Sequence, residues 1–168
     1  MSAPEVWLRG VPVPNVPARL QPVAHSLLQC REELTAALAG LTPDQLWQRP
    51  NAAASIGFHA RHAAASLDRL LTYARGEALL PAQMAALAVE ETPDLASDAA
   101  ATLAAGFDAA VERALAQLRA TSESTLLEPR GVGRARLPST VLGLLFHAAE
   151  HTQRHVGQLV TTGKVIGR

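Results

Sequence analysis

Six histidines stand in the chain, at His25, His59, His62, His147, His151 and His155, and five of them fall in two short windows. Neutral imidazole is a common ligand of late transition metals. His151 and His155 are four residues apart. On a helix that spacing stacks both rings on one face with Cβ atoms roughly 5–6 Å apart, so two nitrogens converge on one ion at about 2.0–2.1 Å per bond. With Leu159 as the centre of the buried face, His155 lies about 40° away and His151 about 80°, while His147 lies about 120° away, towards the edge. The spacing alone is a weak signal, because a histidine on an apolar face is more often a hydrogen-bonded core residue. A third donor has to come from another helix, and the earlier window offers His59 and His62. Periodicity leans to His59, nearer the Ile56/Ala63/Leu67 stripe, with His62 at the edge; spacing does not choose between them.

Helices must position these rings. The first pattern runs from about Arg19 to Ala39, with Val23, Leu27, Cys30, Leu34 and Ala37 at steps of four and three and Gly40 where a C-terminal cap belongs. A turn at Leu41-Thr42-Pro43-Asp44 opens a short helical piece carrying Leu46 and Trp47, stopped by Pro50. Ser55 is the N-cap expected for a second helix that ends at Arg75, before Gly76. Residues 77–96 are irregular and read as a loop or short helix. A third helix spans about Ser97 to Ala120 through Leu103, Phe107, Val111, Leu115 and Leu118. The polar stretch Thr121 to Ser139, broken by Pro129, Gly131, Gly133 and Pro138, reads as a long crossover loop. A fourth helix runs from near Ser139 to Thr162, its core side Val141, Leu144, Leu145, Ala148, Thr152, Val156 and Leu159. No strand is expected. Four amphipathic helices with one long connection make an all-α four-helix bundle. The expected division is a Pro-rich arm over 1–18, anchored by Trp7, and one bundle domain over 19–168.

The chain has 168 residues, 48% of them hydrophobic, which suits one core. Fifteen basic and fifteen acidic residues balance to a formal net charge of +0, so the excess of cations that nucleic-acid binding requires is missing. No apolar run approaches the ~20 residues of a membrane span, and the opening segment lacks a signal-peptide core. Neither nucleic acid nor membrane is an expected partner, and the expected location is the cytoplasm. Cys30 is the single cysteine and lies on the first helix's stripe. Disulfides within the chain and thiolate metal clusters are therefore ruled out, and Cys30 reads as a small core residue.

The run Leu145-Phe146-His147-Ala148-Ala149-Glu150-His151-Thr152-Gln153-Arg154-His155-Val156-Gly157-Gln158-Leu159 closely resembles the signature of the DinB-like superfamily, which includes bacillithiol transferases and mycothiol-dependent isomerases. The Leu-Thr-Pro-x-x-Leu-Trp turn at 41–47 and the second helix from Ser55 extend the likeness over most of the chain. In that family a histidine six residues after a Val/Ile that follows Ser/Thr is a metal ligand. Ser55 and Ile56 match that lead, so the resemblance implies the ligand set His62, His151 and His155. One departure is Ala54, where the family often has tryptophan; it weakens one wall of the site. His59, His147, Glu150 and Arg154 are the candidates to stand behind the ligands. For Glu150 and Arg154, and for Asp68 and Arg69 beyond His62, a solvated helix face is an equally good reading. Gly157 is expected to admit a neighbouring helix, and Gln158 to hydrogen-bond near a helix end.

Three imidazoles without a thiolate suit Zn²⁺ or Ni²⁺, and three protein ligands leave positions open for water or substrate. The resemblance implies a small-molecule substrate, a low-molecular-weight thiol as cosubstrate in S-transfer or isomerisation, and a homodimer. A hydrolase using metal-bound water is the neighbouring expectation. The alternative from a different class is a non-catalytic metal- or small-ligand-binding helical bundle.

Overall fold

Burial of the Val23/Leu27/Cys30/Leu34 stripe organises the first long helix, α1 (Gln21–Leu38), of the computed structural model, which describes residues 4–167. The helix starts with Pro22 in its first turn, where a missing N–H does no harm, and ends before Gly40 in the left-handed region at φ 73°. A short helix, α2 (Pro43–Trp47), is set by a reciprocal cap. Thr42 Oγ1 accepts from the Gln45 N–H at 3.3 Å, and Gln45 Oε1 accepts from the Thr42 N–H at 3.0 Å. Helix α3 (Ile56–Ala74) begins as expected on Ser55, whose Oγ accepts from the Phe58 N–H at 3.1 Å. The irregular stretch holds one two-turn helix, α4 (Pro81–Ala88), and α5 (Ala99–Ala120) follows.

The crossover contains a feature that the sequence pattern does not predict. Two four-residue strands, β1 (Pro129–Val132) and β2 (Leu137–Thr140), pair antiparallel with Val132 opposite Leu137. Strands this short, built from Gly and Pro among polar residues, carry no alternating apolar signal. The chain turns at Gly133, φ 67°, and Arg136 also takes a left-handed φ of 46°. The last helix, α6 (Val141–Val165), is capped by Thr140 Oγ1 on the Gly143 N–H at 3.0 Å and runs through Gly163 instead of stopping there.

Helix α6 lies along both α3 and α1, and α5 lies along α1 and α3, so the four long helices enclose one core. Leu27, Leu67, Phe107, Leu118 and Leu145 are fully buried within it. The contact between α3 and α6 is the most extensive in the molecule, and it is the one that carries the histidines. Residues 1–3 of the expected arm and residue 168 of the expected domain lie outside the described residues. The rest of the arm is held differently from expectation. Trp7 is 61% exposed and anchors nothing. Val6, Val13 and Val16 are buried instead, the last two joining the hydrophobic core. Polar clamps complete the docking: Val6 N–H donates to Gln29 at 2.9 Å, the Gln21 side chain holds the backbone of Val13 and Val16, and Arg9 meets Glu32 through both guanidinium nitrogens. Gly157 is exposed, with nothing within 4 Å of where a Cβ would stand, so it admits no helix; Gln158 is exposed too. No described helix is long and apolar enough to cross a membrane.

Candidate metal centre

Helix α3 delivers His59 and His62 to the α6 interface, and α6 delivers His151 and His155 one turn apart. The Nε2 atoms of His62 and His151 lie 3.0 Å apart. The His155 ring centroid lies 4.3 Å from that of His62 and 4.6 Å from that of His151. One ring nitrogen from each of His62, His151 and His155 falls within 4.8 Å of the others. Two nitrogens bound to one tetrahedral or octahedral ion at ordinary bond lengths stand about 2.9–3.4 Å apart, so small ring rotations suffice to enclose an ion.

Ligation requires bare, neutral nitrogens. Burial and the neighbouring imidazoles of His62, His151 and His59 lower the His155 pKa to about 3, and burial followed by the charge of His62 and His147 lowers that of His151. Both rings are neutral at physiological pH. His62 is oriented from behind: its Nδ1 lies 2.6 Å from Glu90 Oε2, and the other carboxylate oxygen, Oε1, accepts from Arg69 at 2.7 Å. With its other oxygen accepting from Arg69, the Glu90 carboxylate is placed to accept from a His62 Nδ1–H, an arrangement that leaves Nε2 on the side of His151. Glu90 is 4% and Arg69 9% exposed, which protects this chain of contacts from water.

His59 is buried, at 6% exposure, and its Nδ1 sits 3.0 Å from His155 Nδ1. Burial, then the charge of His62, lowers its pKa, so it too is neutral. With Nδ1 of His155 engaged by His59, Nε2 is the nitrogen left to face the cluster. Both α3 histidines therefore meet α6, His59 against His155 and His62 against both His151 and His155, which is why periodicity alone does not separate them. His147 stays on the exposed side, its ring 5.5 Å from that of His151 and its Nδ1 3.2 Å from Glu150. Glu150 also pairs with Arg154, and both side chains are spent on the helix surface.

Glu90 is absent from the sequence-based site, and Arg69 is buried in the centre's support, where the sequence allowed a solvated face. Arg69 carries a signal, lying seven residues beyond His62 on the same helix face. Glu90 carries none, coming from a stretch without periodicity. Phe58, four residues before His62, was also unforeseen; its ring stacks on His62 with centroids 5.3 Å apart and planes 22° apart, closing one side of the cluster. Beyond it, Trp47 packs flat on Gly57, where a Cβ would stand 2.8–2.9 Å from the indole. Trp47 lines a 230 Å³ pocket with Ala54, Ser55 and Phe58, so an indole from α2 borders the position that lacks one. The arrangement offers three imidazole nitrogens from two helices and a buried carboxylate behind one of them. It fits a divalent cation.

A family model described as the DinB superfamily matches residues 26–159. The crystal structure of a DinB-like protein from Bacillus cereus ATCC 10987 aligns with a TM-score of 0.63 at 18% identity, covering 84% of this chain and 91% of that one. At that identity the likeness is one of fold. No curated protein matches the chain.

Proposed function

The chain belongs to the DinB superfamily, and from that premise we propose that His62, His151 and His155 hold one divalent metal ion and that the protein is a metal-dependent thiol S-transferase or isomerase acting on a small molecule. The observation that carries the reading is the convergence of three imidazole nitrogens from two helices within 4.8 Å. Zn²⁺ and Ni²⁺ both suit the donor set. A bound ion of this kind lowers the pKa of a thiol or water placed on it and presents the resulting anion as a nucleophile.

The chain's own residues hold and orient. Glu90 fixes the His62 ring, His59 occupies one nitrogen of His155, and Phe58 excludes water from one side. Thiol chemistry is favoured over hydrolysis because the buried carboxylate is already committed. Glu90 has both oxygens engaged, by His62 and Arg69, and is not free to take a proton from an attacking water. The cosubstrate in this reading is a low-molecular-weight thiol of the bacillithiol or mycothiol type, and the protein works as a cytoplasmic homodimer.

Elemental analysis of protein purified without an affinity tag tests the centre. Near-stoichiometric zinc or nickel is expected, and His151→Ala or His62→Ala should weaken zinc by more than about 100-fold, the upper end of what loss of a mere supporting partner does. Full metal retention in both variants refutes the ligand set. Catalysis is tested by incubating the loaded protein with bacillithiol or mycothiol and a chloro-aromatic electrophile. A metal-dependent rate supports the enzyme; none across several electrophiles leaves a metal-binding bundle.

A further inference from the structure

Between Arg75 and Asp98 the chain covers the α3–α5 side of the bundle, yet Glu90 is its one buried residue. Helix α4 buries no side chain at all. Its apolar residues Met84 and Leu87 and the flanking Leu80 and Val89 face outward, and a 370 Å³ cavity remains beneath it, lined by small residues such as Ala60, Ala64 and Ala86 and by charged ones including Asp68 and Arg113. A segment of this length is ordinarily seated by apolar side chains that leave water. Here the deepest anchor is a carboxylate, and it reaches His62 at 2.6 Å and Arg69 at 2.7 Å. The remaining ties are polar and shallow. Arg61 holds the carbonyls of Val89 at 2.8 Å and Thr92 at 2.6 Å, Gln83 holds Asp68 and Thr72, and the Trp47 indole N–H donates to the Asp94 carbonyl at 2.8 Å.

We propose that Glu90 is the positioning residue of the three-histidine centre, and that through it the seating of residues 77–96 over the bundle is coupled to metal occupancy. The inference rests on the ligand reading above and adds the regulation of that same site. The coupling is chemical. A cation drawing on the His62 Nε2 lone pair would make the Nδ1–H a stronger donor to Glu90, the segment's one buried side chain, whose other oxygen Arg69 holds independently of any ion. Linkage makes the effect reciprocal: whatever loosens the segment weakens the metal by the same factor. Arg69 holds the other Glu90 oxygen at 2.7 Å and so fixes the carboxylate where it can accept from the His62 Nδ1–H.

The test uses the full chain and Zn²⁺ alone, in wild type, Glu90→Gln and Arg61→Ala. Hydrogen exchange is followed over residues 77–96, zinc affinity by competition with a chromophoric chelator, and the His62 tautomer by long-range ¹⁵N–¹H correlation. Zinc should slow wild-type exchange in this segment by about tenfold or more, and the metal-free ring should show its proton on Nδ1. Glu90→Gln should weaken zinc about 10–100-fold and abolish most of the zinc-dependent protection. Arg61→Ala removes the ties to Val89 and Thr92 and a contact over the Trp47 ring but no hydrogen bond to a histidine, so it reports even where Glu90→Gln does not fold; about fivefold weaker zinc is expected. Zinc bound equally by wild type and Arg61→Ala, with exchange in residues 77–96 unchanged by metal, overturns the coupling while leaving the ligand set standing. Failure of wild type to take up zinc overturns both.

Discussion

At the residue scale, three positions set by packing make separable predictions. Cys30 is fully buried in α1, where burial pushes its thiol pKa up to about 12 and Glu33 adds to the rise. Thiolate is the reactive form, so raising the pH from 7 to 9 should not speed modification in the native protein. A chromogenic disulfide reagent should titrate no thiol until denaturant is added, then one equivalent; native reactivity climbing through pH 8–9 contradicts this environment. Gly57 is a second case. Replacing it with alanine gains about 1 kcal/mol of helix propensity, but the new methyl meets the rigid Trp47 indole at 2.8–2.9 Å. Overpacking of that kind costs about 1–3 kcal/mol, and a flat ring wedged between α2 and α3 has little room to yield. The net change should therefore be destabilising by about 1 kcal/mol, read as a lower thermal midpoint with a shift in tryptophan emission. Any stabilisation would mean that the indole moves freely. The third position, Glu90, differs from both because its neighbours are charged: Glu90→Ala leaves Arg69 buried without its partner, so loss of stability should exceed that in Glu90→Gln.

At the element scale, the helix starts rest on single side chains. Ser55 and Thr140 each accept one backbone N–H at the first turn of the helix that carries a histidine pair. Ser55→Ala should cost about 1 kcal/mol in urea unfolding. Zinc affinity should change little, since His62 lies two turns inside α3, beyond the reach of end fraying. A large loss of affinity would show that the α3 start belongs to the centre itself. The Ser55 cap, the apolar stripes and the four-residue interval of His151 and His155 were legible in the sequence, because each is a local pattern, while the Thr140 cap was not singled out there. The third donor was harder to read. His59 and His62 both reach α6, the first against His155 and the second against His151 and His155, and only the resemblance through Ser55 and Ile56 separated them. Glu90 and the hairpin at 129–140 were illegible because both lie in segments without periodicity; Glu90 in addition finds its partner 28 residues away, on α3. Trp7 misled by size, since a large ring suggests an anchor where three valines serve.

At the scale of the whole molecule, the candidate centre is a cross-link. Its nitrogens come from α3 and α6, whose mutual contact is the most extensive in the fold and joins residues nearly a hundred positions apart in the chain. An ion bound there exists only in the folded state, so it should stabilise the entire bundle and not just the site. At free zinc 100-fold above the dissociation constant the gain is about 2.7 kcal/mol. For a chain of this size each kcal/mol moves the midpoint by about 2–4 °C, giving a rise of about 5–10 °C on loading, reversed by a chelator. His62→Ala should abolish the shift while the metal-free variant stays folded, because the remaining α6 pair no longer bridges two helices. Calorimetry distinguishes this from adventitious binding at the exposed His147. An ion held on α6 alone would bind more weakly, shift the midpoint less at the same free zinc and persist in His62→Ala. A rise that saturates with one equivalent and vanishes in that variant means that α3 and α6 are being held together by the metal.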